Sequence, residues 1–256
     1  MTPLTLNSPA SRAWAALFAL LTGLVALPGA AQTVISPHDP TDRILLHHQK
    51  SVEWAREHRQ GILPLEAVQA LPRGFDSQLA PRLQGAALVV ASKEGNILLT
   101  PAHLVEKSSG VFLLLPSGKR ISVQGIFVHP DIPIARLVAR DLPTDLGSLR
   151  VAGAEEAVEG RRALHLSGLH VPADPVLSRA HLIRRPLPPL ERFWVSDVRH
   201  PDGHPLLTPE GDLLAIAFRS IGAASSEALT IGPALIREVL HDLAQPSPRG
   251  PEPSPR

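Results

Sequence analysis

Short apolar runs separated by turn residues fill the chain between residues 84 and 232. A first set of runs lies at 87–90, 97–99, 111–115, 120–128 and 134–138. A second set lies at 163–166, 177–183, 193–198, 206–207, 213–218 and 228–231. Many short runs at near-regular spacing are typical of β-strands in sandwiches and barrels. The pattern predicts an all-β domain with two halves, at about 84–150 and 160–232.

Helical patterns occur on either side of these runs. Thr41 is a suitable cap for a helix that extends to about Arg59, because threonine oxygens accept hydrogen bonds from the first turn. A second short helix is predicted after Pro64, so residues 32–83 are interpreted as a linker and a helical extension.

The last part of the chain divides into a helix and a tail. Apolar residues spaced by three or four positions predict a closing helix over 233–243. Residues 245–256 contain five prolines in twelve positions. Such a segment is predicted to be extended and disordered.

Residues 1–31 have the three-part pattern of a secretory signal peptide. Arg12 precedes an apolar run at 13–27, and the small residues Gly29 and Ala31 stand at the −3 and −1 positions of a cleavage site. We expect cleavage after Ala31, a periplasmic or secreted mature protein, and no stable membrane anchor. An uncleaved anchor is the alternative interpretation of the same run, although the run is short for a bilayer span.

Composition excludes several classes of function. The formal net charge is only +1, which argues against a nucleic-acid partner because phosphate binding requires a basic excess. The chain has no cysteine, so disulfides, thiolate metal sites and a cysteine nucleophile are excluded. We expect no bound cofactor.

Three segments carry residue types that hydrolytic chemistry uses. They are TPAHLV at 100–105, HPDIPIARLVA at 129–139 and RHPDGHPLL at 199–207. In this order they resemble the motifs of trypsin-like serine peptidases of the HtrA/Deg type. The resemblance implies that His103 is the general base. It also places Pro133 where the family has the aspartate that orients the histidine.

The third segment departs furthest from the family pattern. Gly203 matches a glycine of the family's G-[ND]-S-G-G-P motif, but Asp202 occupies the position of the nucleophilic serine. The resemblance also places His200 and Gly203 in the loop that forms the oxyanion hole. The resemblance covers about residues 84–243 and implies two six-stranded antiparallel barrels within a peptidase domain at 84–244. We expect no PDZ domain after it.

A serine peptidase requires an alcohol, an imidazole that takes its proton, and a carboxylate that holds the imidazole. Of these three, only His103 stands at its family position. The sequence therefore predicts an exported pseudo-peptidase that is proteolytically inactive and that binds or regulates a polypeptide partner.

Two alternatives remain open from the sequence. The protein is an active serine endopeptidase if a serine outside the motif, with Ser196 as the nearest candidate, acts as nucleophile. It is a metal-binding protein if His103, His200, Asp202 and His204 gather around one ion, because imidazole and carboxylate are zinc ligands.

Overall fold

The computed structural model describes residues 39–71, 80–167, 176–186, 188, 190–198, 202–221 and 227–244. The predicted signal peptide, the predicted tail at 245–256 and His200 lie outside this part of the chain. Within the described residues, no helix combines the length and the apolar character needed to span a bilayer.

The first half of the domain is one antiparallel sheet of seven strands. Its strands are β1 (Ile62–Gln69), β2 (Arg82–Ser92), β3 (Gly95–Pro101), β4 (Ser108–Leu114), β5 (Arg120–Ser122), β6 (Gly125–Val128) and β7 (Ile134–Val138). They are hydrogen-bonded in the order β5-β4-β1-β2-β3-β7-β6.

The two edge strands of this sheet are halves of one chain segment. The Val123 N–H donates to the Val111 carbonyl at the β4 side, and the next N–H, of Gln124, donates to the Val138 carbonyl at the β7 side. The segment thus changes its pairing strand from β4 to β7 between two consecutive residues. The sheet is therefore curled, with β5 and β6 as neighbouring edges that are joined by the chain. This accounts for the single run predicted at 120–128.

The second half is a closed six-stranded barrel. Its strands are β8 (Arg162–Ser167), β9 (Val176–Arg184), β10 (Trp194–Ser196), β11 (Pro205–Leu207), β12 (Leu213–Ser220) and β13 (Ala228–Ile231). Their order around the barrel is β10-β13-β12-β11-β8-β9. The mostly β architecture with a closed barrel and a curled sheet confirms the predicted all-β fold of the trypsin-like type.

Apolar packing holds the two halves together. Leu63 and Leu65 belong to a core inside the first sheet, and Leu214 belongs to a core inside the second barrel. A third core contains residues of both halves, including Leu99 and Ile216, neither of which is exposed. The two halves therefore share a buried apolar interface that fixes residues of one against residues of the other.

The N-terminal helical region differs in detail from its prediction. It consists of α1 (Pro40–Leu46), α2 (His48–His58) and a 3-10 turn (Arg59–Gly61), and an extended backbone at His47 separates the two helices. Asp39, rather than Thr41, caps the first helix, because its side chain accepts the N–H groups of Thr41 and Asp42.

The helix predicted after Pro64 is wrong, because residues 62–69 form strand β1. The side chains of Leu63, Leu65 and Ala67 are all fully buried, which is the period of two that a strand requires. This strand pairs with both β2 and β4, so the first sheet begins at Ile62 and the helical extension ends before it.

Two further helices complete the fold. A single turn, α3 (Ala102–Val105), follows β3 directly. The closing helix, α4 (Pro233–Ala244), is present as predicted and buries Ile236 and Val239 in the core shared by the two halves.

Candidate functional site

His103 lies in α3, the short helical turn at the end of β3. The Ala102 N–H donates to the Pro133 carbonyl at 3.0 Å, and the buried Thr100 hydroxyl donates to the Ala86 carbonyl at 2.9 Å. These bonds fix the backbone on both sides of the strand end. The imidazole itself remains accessible, with 45% of the side chain exposed.

Pro133 lies directly beside the His103 turn. Strands β3 and β7 pair Pro101 with Ile134, and the Pro133 carbonyl accepts the Ala102 N–H. The structure therefore places the segment that carries Pro133 next to His103, as the family resemblance implies. The proline side chain has no hydrogen-bonding atom, so it cannot orient the imidazole.

The loop that carries Pro133 is held by a buried histidine. The Nδ1 atom of His129 accepts the backbone N–H groups of Asp131 at 3.2 Å and Ile132 at 3.1 Å. Its proton is therefore on Nε2, which lies 3.3 Å from Oδ2 of Asp242 in α4. Hydrogen bonds with the His241 side chain and, second, with the His129 side chain lower the pKa of the Asp242 carboxyl.

Asp202 meets His103 across the junction of the two halves. The Oδ1 atom of Asp202 is 3.6 Å from Nε2 of His103, and 51% of the Asp202 side chain is exposed. The backbone here is anchored to both halves, because the Asp202 carbonyl accepts the Ala86 N–H and the Gly203 N–H donates to the Ala217 carbonyl, both at 2.9 Å.

The turn at Asp202 and Gly203 lies flat against β2. Gly203 has φ +86°, and a Cβ at this position would be 2.4 Å from the Ala86 carbonyl oxygen. On the opposite side, a Cβ at Gly85 would be 2.5 Å from the Asp202 carbonyl oxygen. Only glycine at both positions permits this approach, which sets the Asp202 side chain beside the imidazole.

His204 is buried and pairs with a second histidine. Its Nδ1 atom is 3.1 Å from Nε2 of His165, and Nδ1 of His165 is 3.2 Å from the Ser178 hydroxyl. This cluster has no signal in the sequence, because the two histidines are 39 positions apart. The contact between β8 and β11 brings them together.

The metal hypothesis gains no support from these positions. Among the residues that the structure describes, no group of three or more histidine, aspartate or glutamate side chains is placed to hold a metal ion. His200, which the hypothesis includes, lies outside those residues.

Ser196 is inaccessible. It lies in β10, is 0% exposed, and its hydroxyl has no hydrogen-bond partner among the described residues. A substrate carbonyl has no route to this hydroxyl in the folded protein.

An acid at 3.6 Å from the imidazole cannot replace a serine hydroxyl in acyl transfer. It supplies no proton for the imidazole to remove, and its own charge repels the oxyanion that forms when a carbonyl is attacked. The pair can instead form a charge-assisted contact when the imidazole is protonated.

Comparison with known proteins identifies the fold. No family model matches the chain, and no curated protein matches it by sequence. Solved structures of the HtrA-type protease AlgW with a tripeptide are similar, with a TM-score of 0.59, 17% identity and coverage of 76% of this chain. The same protease with a decapeptide has a TM-score of 0.55, 16% identity and coverage of 75%.

These similarities show a trypsin-like fold of the HtrA type, here with a histidine and an aspartate at the junction of its two halves. The chain spans 64% of the length of the AlgW chain with the tripeptide.

Proposed function

We propose that this protein is a trypsin-like pseudo-peptidase that no longer hydrolyses peptide bonds and that binds an extended polypeptide. The observation that carries the proposal is the 3.6 Å separation between Nε2 of His103 and Oδ1 of Asp202. An acid therefore faces the imidazole where the family resemblance places the attacking alcohol.

The loss of two catalytic groups is expected to reduce the rate of peptide hydrolysis by several orders of magnitude. Removal of one member of a serine triad typically lowers turnover by about 10⁴- to 10⁶-fold. Here the Pro133 side chain offers no acceptor for the imidazole N–H. The negative charge of Asp202 adds a repulsive interaction that a simple deletion would not have.

The competing proposal of an active endopeptidase requires another nucleophile. Ser196 was the candidate from the sequence, and its full burial argues against it. An acylation step would require the second barrel to open around β10, which pairs with both β9 and β13.

Polypeptide binding is supported by the architecture of the junction. The two barrel-like halves meet around the exposed side chains of His103 and Asp202, which a peptide can reach from solvent. An extended peptide can add to such a surface through main-chain hydrogen bonds, and this binding needs no catalytic triad. We also propose that the protein acts outside the cytoplasm, on the basis of the signal-peptide pattern at 1–31.

The absence of proteolysis is tested with two reagents. The purified protein is incubated with a fluorophosphonate probe and, separately, with unfolded casein. We expect no labelled serine and no casein fragments. Labelling that disappears in a His103→Ala variant would contradict the proposal, because it would show an activated serine that depends on this imidazole.

The binding role is tested separately by fluorescence anisotropy with labelled casein peptides. We expect saturable binding that a bulky His103→Trp substitution weakens, while the same substitution at the exposed His48, in α2, leaves it unchanged. If the peptides do not bind, or if both variants bind as the wild type does, the polypeptide role at this junction is wrong.

A further inference from the structure

A cavity of about 750 Å³ opens at the turn between β2 and β3. Lys93 of this turn lines it, whereas His103 follows the other end of β3. Because β3 has seven residues at about 3.3 Å each, the cavity and the imidazole are about 20 Å apart along the strand. We call this feature the basic cavity.

Half-buried apolar side chains and exposed charged side chains both line the basic cavity. Ala91, Val151 and Leu240 line it and are half-buried, whereas Lys93, Arg150 and Arg237 line it and are exposed. An apolar interior with a few convergent charged groups is typical of a site for a small ligand, and so is a volume between about 300 and 1,000 Å³.

Positive charge predominates on the lining. Among the lining residues that the structure describes, Glu94 is the one carboxylate, against the three cations Lys93, Arg150 and Arg237. Asp212 pairs with Nε of Arg150 at 3.0 Å, and Asp242 contacts His129 and His241. Because Asp212 already pairs with Arg150, the cations assigned here to a ligand inside the cavity are Lys93 and Arg237.

Arg237 is held in place before any ligand binds. Its Nη2 group donates to the carbonyls of Val151 and Ala152, which anchor α4 to the segment between the two halves. A guanidinium carries further N–H groups on Nε and Nη1 that suit a carboxylate. Because the side chain is already ordered, less conformational entropy is lost when an anion binds.

We propose that the basic cavity is a binding site for a small amphipathic carboxylate. The alkyl chain of the ligand packs on Ala91, Val151 and Leu240, and its carboxylate contacts Arg237 and Lys93. This site is independent of the His103–Asp202 junction, and it requires no catalytic activity of the protein.

The proposal is tested by titration calorimetry with decanoate. We expect saturable binding of one decanoate, at least tenfold weaker binding of decanol, and no saturable binding of acetate. Decanol lacks the charge and acetate lacks the apolar chain, so each comparison isolates one half of the proposed recognition. Equal affinity for decanol and decanoate would overturn the proposal.

Matched variants locate the site. Lys93→Ala should weaken decanoate binding about fivefold, the effect of one charge at contact distance in water, and Glu94→Gln should strengthen it. Lys119→Ala, at the turn between β4 and β5, is the control and should leave the affinity unchanged. An unchanged affinity in Lys93→Ala, with an unchanged melting temperature, would overturn the assignment.

Two other occupants give distinct results. If residues 245–256 of this chain occupy the cavity, a variant ending at Ala244 will bind decanoate more than tenfold tighter than the full chain. If the ligand is the end of a polypeptide, peptides with an apolar C-terminal residue will displace decanoate and lose affinity when amidated. Either result would overturn the proposal of a small-molecule site.

Discussion

The Nε2 atom of His103 lies 3.6 Å from Oδ1 of Asp202, although 99 positions separate the two residues in the chain. One residue follows a strand of the first sheet, and the other precedes a strand of the second barrel. Their contact depends on the shared apolar core, so the chemistry of the site can be altered by substitution without rebuilding the fold.

Restoring the two substituted positions tests the interpretation of the site. We expect the double variant Pro133→Asp/Asp202→Ser to react with a fluorophosphonate faster than Asp202→Ser alone, by about 10² to 10⁴-fold. The physical reason is that an aspartate at 133 would hold the imidazole in its basic tautomer. Labelling rates are measured by mass spectrometry. Equal rates for the two variants would show that residue 133 does not reach His103.

The close approach of Gly203 to β2 should be costly to disturb. Gly203→Ala is expected to lower the free energy of unfolding by about 2–4 kcal/mol, because the new Cβ meets the Ala86 carbonyl at 2.4 Å and the backbone has φ +86°. Urea denaturation provides the measurement.

Gly118→Ala is the matched control for this substitution. Gly118 has φ +80° but nothing within 4 Å of an added Cβ, so only the backbone cost of about 1–2 kcal/mol should appear. Equal losses in the two variants would mean that the contact with Ala86 contributes nothing.

A buried carboxylate forms ion pairs that connect the N-terminal helices to the second barrel. Asp42 of α1 is 0% exposed and contacts Arg162 of β8 and Arg179 of β9. We expect Asp42→Asn to lower the free energy of unfolding by about 3–5 kcal/mol, because Arg179 loses its buried counter-charge and Arg162 keeps only its ion pair with Asp39 at 3.2 Å. Chemical denaturation is the measurement, and limited proteolysis should show cleavage within α1.

The comparison for Asp42 is an ion pair on the surface. Glu238 and Arg192 interact at 2.8 Å but are 42% and 47% exposed. Glu238→Gln should therefore cost less than about 1 kcal/mol. If both variants lose the same stability, burial is not what makes the Asp42 contacts strong.

Acid should destabilise the fold through Asp197. Burial raises the pKa of this carboxyl. Hydrogen bonds from the His181 side chain and backbone N–H together lower the pKa by more than burial raises it, so the net pKa is below the ordinary value of 3.8. A group whose pKa is lowered on folding stabilises the protein above its ordinary pKa. That contribution is lost as the pH falls through the lower, folded value.

Melting temperatures between pH 7 and pH 2.5 test this dependence. We expect Asp197→Asn to lower the melting temperature at pH 7 and to show a shallower decline below pH 4 than the wild type. Asp145→Asn, at an exposed position, serves as control. Parallel acid profiles for wild type and Asp197→Asn would rule out this carboxylate as a source of the acid sensitivity.

Local patterns were sufficient to predict most strands and the closing helix. The run at 120–128 was identified as one unit because its residues favour extended structure, and its two halves form β5 and β6. The error at residues 62–69 arose because Pro64 is typical of a helix start. The alternation of Leu63, Leu65 and Ala67 is instead typical of a strand. The strand forms by pairing with residues up to 48 positions away.

The candidate site could be predicted only as far as family motifs extend. The motifs place His103 and Asp202 at the base and nucleophile positions of the family, and the structure has their side chains 3.6 Å apart. The pairing of His204 with His165 and the hydrogen bond from His129 to Asp242 had no local signal, because each joins residues far apart in the chain. Such contacts depend on the packing of whole elements, which periodicity does not encode.

The bond between His129 and Asp242 spans 113 positions. The loop beside the imidazole therefore gains one of its contacts only after α4 has been synthesised and has docked, in addition to those it makes within the first half. Because the chain is synthesised from its amino end, the contact between His129 and Asp242 forms only after all strands of the second barrel have been synthesised. Truncation just before α4 would therefore remove a contact of the loop at His129, which lies in the first half of the domain.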